Sequence, residues 1–266
     1  MKLLFLGAGK MATALATAVV RSNLLPLEDI TASDILPQAR EAFTKATGVR
    51  CVANAAEQIA QTDILLLAVK PQVAEAAVKA LLPLKPGTLV ISICAGIPIA
   101  KLQGWLGTGR VIRVMPNTPL MVGKGASCFA PGPEATTEDC TFAQTLLGKA
   151  GIAHQVTEDL LDAVTGLSGS GPAYVFELAK AMALAGEAVG LSPEISLDLT
   201  IQTIAGAAEM LARKVGSPDE LRDAVTSPHG TTAAGLDVMK AANFRKVIAN
   251  TVIAARDRSI ELGKGK

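Results

Sequence analysis

The chain is short of the side chains that carry most acid–base and stacking chemistry: its 266 residues include two histidines, one tryptophan, one tyrosine and six phenylalanines. Neither His154 nor His229 stands in an H-x-H, H-E-x-x-H or cysteine-spaced pattern, so a metal centre has no ligand set. The four cysteines, Cys51, Cys94, Cys128 and Cys140, are widely separated, with no C-x-x-C pair. Three of them fall in apolar strand-like runs where a small hydrophobe packs, which points to a reducing cytoplasm rather than a disulfide framework. Charge of one sign is lacking too. The formal net charge is +1 and there is no basic run, so a nucleic-acid surface lacks its usual electrostatic footprint. No run approaches the roughly 18 uncharged apolar residues of a membrane span. The best candidate, Pro172 to Val189, is broken by Glu177, Lys180 and Glu187.

The first twenty residues, MKLLFLGAGKMATALATAVV, admit two readings. A basic residue, an apolar run and A-x-A spacing resemble a secretory signal. Against that, Gly7 and Gly9 break the run after Leu3 to Leu6, and Lys10 puts a charge where the apolar region should continue. The same letters give a strand, a glycine turn and an alanine-rich helix, the opening of a dinucleotide-binding fold. A retained segment in a cytoplasmic protein is the expectation.

Up to about residue 156, short strand-like runs (KLLFL, ITAS, RCVA, ILLLAV, TLVISI, VIRVM, GASCFA, IAHQV) alternate with helical patterns starting near Lys10, Pro37, Ala55, Gln72, Pro98 and Glu134. That alternation builds a parallel sheet covered on both faces, and ILLLAV and TLVISI lack polar alternation, as doubly buried strands should. Beyond residue 157 the strand signals stop. Pro172, Ser192-Pro193, Ser217-Pro218, Thr231 and Asn243 mark successive helix starts. The expected fold class is α/β: a Rossmann-like doubly wound parallel sheet over 1–156, then an all-helical domain over 157–266. The helical part is alanine-rich with few large side chains, and roughly 110 such residues bury little area alone. Packing against a second copy would remedy this, so a homodimer through the helical domain is expected.

Candidate functional residues cluster at turns. Gly7 permits the tight turn, Gly9 lets a pyrophosphate approach the backbone, and Ala12 lets the helix pack on the strand; Ala8, Lys10 and Met11 complete that cofactor-binding set. Asp34, after the second strand, stands where an acidic residue accepts from a ribose 2′-hydroxyl, which hints at NAD; it equally suits a helix cap, and Arg40 is near enough to serve a phosphate. Ala68-Val69-Lys70-Pro71 and Ala95-Gly96 end the fourth and fifth strands at the carboxyl edge, where such sheets bind ligand. Lys70 reads either as a structural cation or as a ligand contact. Asn117, between two prolines, has its amide free to fix neighbouring backbone. Leu167 to Pro172 and Thr226 to Thr232 read as glycine-serine nests before helices, able to hold a carboxylate or merely to cap. A near G-x-S-x-G at Gly166 to Ser170 ends in serine and follows no strand, so it is no nucleophile elbow. With so few acid–base groups, hydride transfer suits the chain, above all to a C=N bond whose protonated form is already electrophilic.

The motifs FLGAGKMA, AVKPQ, RVMPNTP, GLSGSGPAYVFEL and VTSPHGTTAAGL, in this order along nearly the whole chain, resemble the pyrroline-5-carboxylate reductase family. The resemblance implies reduction of 1-pyrroline-5-carboxylate to L-proline, the last step of proline biosynthesis, with NADP (NADPH) as the foremost cofactor and NAD (NADH) as the alternative. It also implies a helical domain that interlocks into dimers, often assembling into decamers, with substrate between the two domains. Under it, Thr232 should hydrogen-bond the ring nitrogen, while Ser227 and the Gly230 and Thr231 backbone face the carboxylate. Glu158 should stabilise the cationic iminium, and Asn54 and the run Ala68 to Pro71 should contact the cofactor. The family usually has asparagine where Lys10 stands and glycine where His229 stands; a glycine-only dihedral at the latter would strain the histidine. The rival readings are another imine or 2-hydroxyacid reductase of the same plan, or a non-catalytic nucleotide-binding protein. Neither nucleic acid nor membrane is an expected partner.

Overall fold

A computed structural model describes Met1 to Gly263 and contains one eight-stranded sheet. The strands are β1 (Leu3–Leu6), β2 (Ile30–Ser33), β3 (Arg50–Val52), β4 (Ile64–Leu67), β5 (Leu89–Ser92), β6 (Val111–Met115), β7 (Gly125–Pro131) and β8 (Gly151–Gln155), one for each expected run. Their spatial order is β3-β2-β1-β4-β5-β6-β7-β8. The order reverses between β1 and β4, which creates the crevice where a doubly wound sheet binds ligand.

Helices α1 (Lys10–Arg21), α2 (Pro37–Thr47), α3 (Ala56–Ile59), α4 (Pro71–Lys79), α5 (Ile99–Leu106) and α6 (Thr137–Gly148) connect the strands. Proline opens α2 and α4, where its missing N–H costs nothing. The period of two along β1 splits its side chains: Leu3 and Phe5 join one core with Leu15, Val19 and Leu146, while Leu4 and Leu6 join another with Val78 and Leu102. This is why β1, β4 and β5 are buried at every position. Phe5 and Phe43, both fully buried, set their ring centroids 6.0 Å apart.

One strand departs from the expected parallel sheet. β7 pairs antiparallel with β6, then parallel with β8 through the intervening α6. The β6–β7 link holds only a 3-10 helix, Thr118–Val122. A parallel return needs a crossover of roughly a dozen residues or more, so a short link forces the antiparallel pairing.

After β8 the chain is helical: α7 (Leu161–Val164), α8 (Gly171–Ala188), α9 (Pro193–Ala212), α10 (Pro218–Ala224), α11 (Thr231–Ala241) and α12 (Phe244–Gly263). Among the described residues two compact units emerge, Met1–Ser170 with 254–263, and Gly171–Ile253. The expected nest at Leu167 to Pro172 is absent. Thr165–Gly169 instead forms a π-helical turn running towards α8, with the Ser170 N–H donating to the Thr165 carbonyl at 2.8 Å. Such a turn leaves a carbonyl over, and the Asn117 amide donates to the Ser168 oxygen at 3.1 Å.

The second unit is built from small residues. A Cβ on Gly186 of α8 would lie 2.0 Å from Ser196 Oγ, so only glycine lets α9 approach here. Ser196 Oγ donates to the Ala183 carbonyl at 2.6 Å across the same contact. Among the described residues Ala183 is the sole buried hydrophobe of this unit, whereas Phe176, Val189 and Val238 are 68%, 83% and 70% exposed. So much bare apolar surface requires a partner, as the small side chains imply.

Candidate active site

The glycine turn lies between the ends of β2 and β4. The Gly7 N–H donates to the Ser33 carbonyl and the Ala68 N–H to the Leu6 carbonyl, both at 2.8 Å. Gly7 has φ +101°, and a Cβ there would sit 2.7 Å from the Ala68 oxygen, so no other residue fits. A Cβ on Gly9 would meet nothing within 4 Å, which leaves the backbone open to a ligand. The start of α1 has no side-chain cap and no acidic residue in its first turn. Its unpaired N–H groups and dipole therefore face solvent ready for an anion, with Lys10 exposed beside them and Ala12 fully buried against the sheet. These features fit a pyrophosphate, and hence a dinucleotide.

Asp34 is held by protein. Its Oδ2 accepts from the Ala8 N–H and its Oδ1 from the Leu36 N–H, each at 2.9 Å. One carboxylate thereby ties the phosphate turn to the β2–α2 loop. Arg40 fastens the same loop through Nη1, donating to the Asp34 and Ile35 carbonyls at 2.9 and 3.0 Å. Burial and the nearby Asp34 charge push the Cys51 thiol up to about 11, so it stays protonated. Asn54 accepts from the Ala56 N–H at 2.9 Å, an Asx turn before α3.

The strand ends at Ala68 to Pro71 and Ala95-Gly96 lie at the carboxyl edge. Lys70 is exposed and occupies the N-cap of α4, and Gly96 has φ +72°. A cavity of about 670 Å³ opens here, bounded among others by Pro71, Ala95, Gly96, Lys101, Trp105 and Arg258. The Lys101 ammonium lies 5.4 Å from the Trp105 ring centroid, a cation–π contact in the cavity wall. Asn117, 9% exposed, accepts from the Ala126 N–H at 2.9 Å while donating to Ser168, so its amide joins β7 to the π-helical turn. It acts on backbone, as the sequence indicated.

Glu158 has a structural function that the sequence did not disclose. Its Oε1 accepts from the Ile99 N–H at 2.7 Å, capping α5, and from Arg113 Nη1 at 2.9 Å. Arg113 is 12% exposed and lies in the middle of β6, so the pair locks that strand to the start of α5. Charge alone could not reveal this contact, because Ile99 is 59 residues distant.

In the second unit, the loop from Thr226 to Gly230 turns the chain from α10 into α11. The Gly230 N–H donates to the Ser227 carbonyl at 3.0 Å, and a Cβ on Gly230 would lie 2.3 Å from Ser227 Oγ. Gly230 is the N-cap of α11 and offers no side-chain cap, so Thr231 and Thr232 open a helix whose first N–H groups are unsatisfied. Ser227, Gly230, Thr231 and Thr232 are thus gathered at one helix start. His229 has φ +58°, the left-handed conformation that favours glycine and strains a side chain.

Comparison with known proteins agrees with this geometry. Residues 158–262 match the family model described as pyrroline-5-carboxylate reductase dimerisation, and residues 2–96 match that described as NADP oxidoreductase coenzyme F420-dependent. A pyrroline-5-carboxylate reductase of Arabidopsis thaliana is 43% identical over 98% of this chain and 95% of its own. That of Pseudomonas aeruginosa is 42% identical over 99% and 97%. Among solved structures, the pyrroline-5-carboxylate reductase of Coxiella burnetii superposes with a TM-score of 0.91 at 30% identity, covering 98% of both chains. The pyrroline carboxylate reductase of Plasmodium falciparum, solved with NADP bound, gives 0.86 at 32% identity over 99% of this chain and 98% of that one.

Proposed function

Because the chain belongs to the pyrroline-5-carboxylate reductase family, we infer that it reduces 1-pyrroline-5-carboxylate to L-proline, the last step of proline biosynthesis. It is an NAD(P)H-dependent oxidoreductase acting on a C=N bond, and NADP is the cofactor its relatives support, with NAD the alternative. The observation that carries the reading is the loop at the start of α11: an uncapped helix N-terminus with Thr232 in its first turn.

Bound nicotinamide supplies a hydride; the rest falls to the chain. The Gly7 to Ala12 turn, through the N–H groups of α1, holds the pyrophosphate, and the strand ends at Ala68 to Pro71 and Ala95-Gly96 frame the reacting ring. The N–H groups of Gly230 and Thr231, with Ser227, hold the substrate carboxylate at the positive end of the α11 dipole. The Thr232 hydroxyl hydrogen-bonds the ring nitrogen and fixes which face of the C=N bond is presented. A protonated iminium needs no separate acid once hydride reaches carbon. This accords with a site that has no acid–base residue in its loop beyond His229. Glu158 contributes by positioning: it ties Arg113 of β6 to the first N–H of α5, and its carboxylate favours the cationic iminium.

The dimerisation match, together with the bare apolar faces of α8, α9 and α11, makes the protein a homo-oligomer. We assign the dinucleotide-binding domain to 1–156 and the substrate and dimerisation domain to 157–266, assembled as dimers that build a decamer. No described helix is long and apolar enough to cross a membrane; we place the site of action in the cytoplasm, where the four free cysteines would stay reduced. The test is Thr232→Ala. Removing a hydrogen bond to a charged group is worth roughly 1.5–3 kcal/mol, so kcat/KM for the imine should fall about 10- to 100-fold with an unchanged melting point. Unchanged kcat/KM would refute the assignment.

A further inference from the structure

The loop between β2 and α2 lies beside the phosphate turn, where the adenosine ribose of a dinucleotide is read in this fold. A carboxylate that reads a 2′-hydroxyl must turn an oxygen towards the sugar. Each Asp34 oxygen already accepts one backbone N–H, Oδ2 from Ala8 and Oδ1 from Leu36, which fixes the carboxylate and leaves each oxygen one further acceptor site. It is bound into the protein as a tie.

Arg40, partly buried in the first turn of α2, is oriented otherwise. Only Nη1 bonds to protein, reaching the Asp34 and Ile35 carbonyls at 2.9 and 3.0 Å. Those bonds pin the guanidinium above the loop. Among the described residues nothing engages Nε or Nη2, the two nitrogens of the edge that a guanidinium offers side-on to a phosphate. The loop also presents Ile35 and Leu36, 85% and 57% exposed, as an apolar ledge. An adenine base would cover such a ledge. Further charges on α2 are Glu41 and Lys45, both exposed and opposite in sign, so they leave Arg40 as the anchored cation of this loop.

We propose that Arg40 recognises the 2′-phosphate of NADPH through its Nε and Nη2 edge and thereby sets the coenzyme preference of this chain. The proposal rests on the reading that the Gly7 to Ala12 turn holds a dinucleotide.

The experiment is calorimetric titration of the intact protein with adenosine 2′,5′-bisphosphate and with AMP, which differ at the 2′ position alone. Wild type should bind the bisphosphate roughly tenfold or more tighter than AMP. Arg40→Gln should bring the two affinities within about twofold while AMP binding stays near wild type. Arg40→Lys retains the charge but loses the fork, so its preference should fall between the two. An unchanged preference in Arg40→Gln, or an equal weakening of both probes, would make Arg40 a loop fastener and overturn the proposal. A folded wild-type protein that binds neither probe nor NADPH would instead overturn the dinucleotide reading, and the proposal with it.

Discussion

Asp34 offers the sharpest test of how the cofactor turn is held. The substitution Asp34→Asn conserves size and keeps one acceptor oxygen, but it places an amide NH₂ against one of two backbone N–H donors. One of the two 2.9 Å bonds, to Ala8 or to Leu36, is therefore lost. A hydrogen bond to a charged acceptor contributes about 1.5–3 kcal/mol, and the half-exposed setting places the loss towards the lower figure, about 1.5 kcal/mol. Urea melts at fixed protein concentration should show that decrease. Because Ala8 lies in the turn itself, loosening it should also weaken NADPH and NADH alike, by about tenfold if the same energy is withdrawn from the bound state. A carboxylate that reads the ribose hydroxyl would behave otherwise. If Asp34→Asn binds NADPH more tightly than wild type, loses NADH and melts at the same urea concentration, the tie between Asp34 and the turn is not what matters.

Other substitutions probe the scaffold. Arg110 makes a two-bond pair with Asp139, whose side chain is 5% exposed, so Arg110→Ala should cost about 3 kcal/mol by stranding that charge. Burial pushes the Asp139 carboxyl up, but Arg110 and the Thr136 N–H outweigh it and hold the group below the usual carboxylate range. Its contribution is thus present above the unfolded pKa of about 3.9 and lost as pH falls through the lower folded value, and the gap between wild type and Arg110→Ala should narrow in acid melts. His229→Gly should raise stability by roughly 0.5–1 kcal/mol, because a left-handed non-glycine residue costs about 1–2 kcal/mol and glycine returns only part as unfolded-state entropy; a lower melting point would contradict this. Phe176→Glu, on the bare face of α8, should shift sedimentation towards monomer, and an unchanged oligomer would place the interface elsewhere.

Most of the scaffold is legible along the chain because each element carries its own signal. The runs ILLL and LVIS are apolar at every position, which only a strand covered on both faces requires, and both proved fully buried. Ser217 and Glu220 announce a capping box, and the structure forms it, with the Ser217 N–H donating to the Glu220 carboxylate at 2.8 Å. Gly7 and Gly9 stand between a strand and a helix, so their purpose can be read locally. What escaped was decided by the length of a connection or by distant partners. The antiparallel pairing of β7 depends on how briefly the chain turns after β6, and the strand's own residues do not encode it. The π-helical turn at Thr165–Gly169 looks like a flexible nest until Asn117, 51 residues away from Ser168, is seen to satisfy it. Asp34 and Glu158 are readable as acidic residues at the right places, yet each is tied to a backbone N–H far along the chain, Ala8 at 26 and Ile99 at 59 residues' distance.

The most direct measurement of the central claim is coenzyme oxidation by the purified, folded oligomer, with NADPH and NADH supplied separately and 1-pyrroline-5-carboxylate present or withheld. The expected result is oxidation that depends on the cyclic imine and forms L-proline in equal amount. Absence of oxidation with both coenzymes, in protein shown to be folded and to bind NADPH, would contradict the assignment of this chain as an imine reductase.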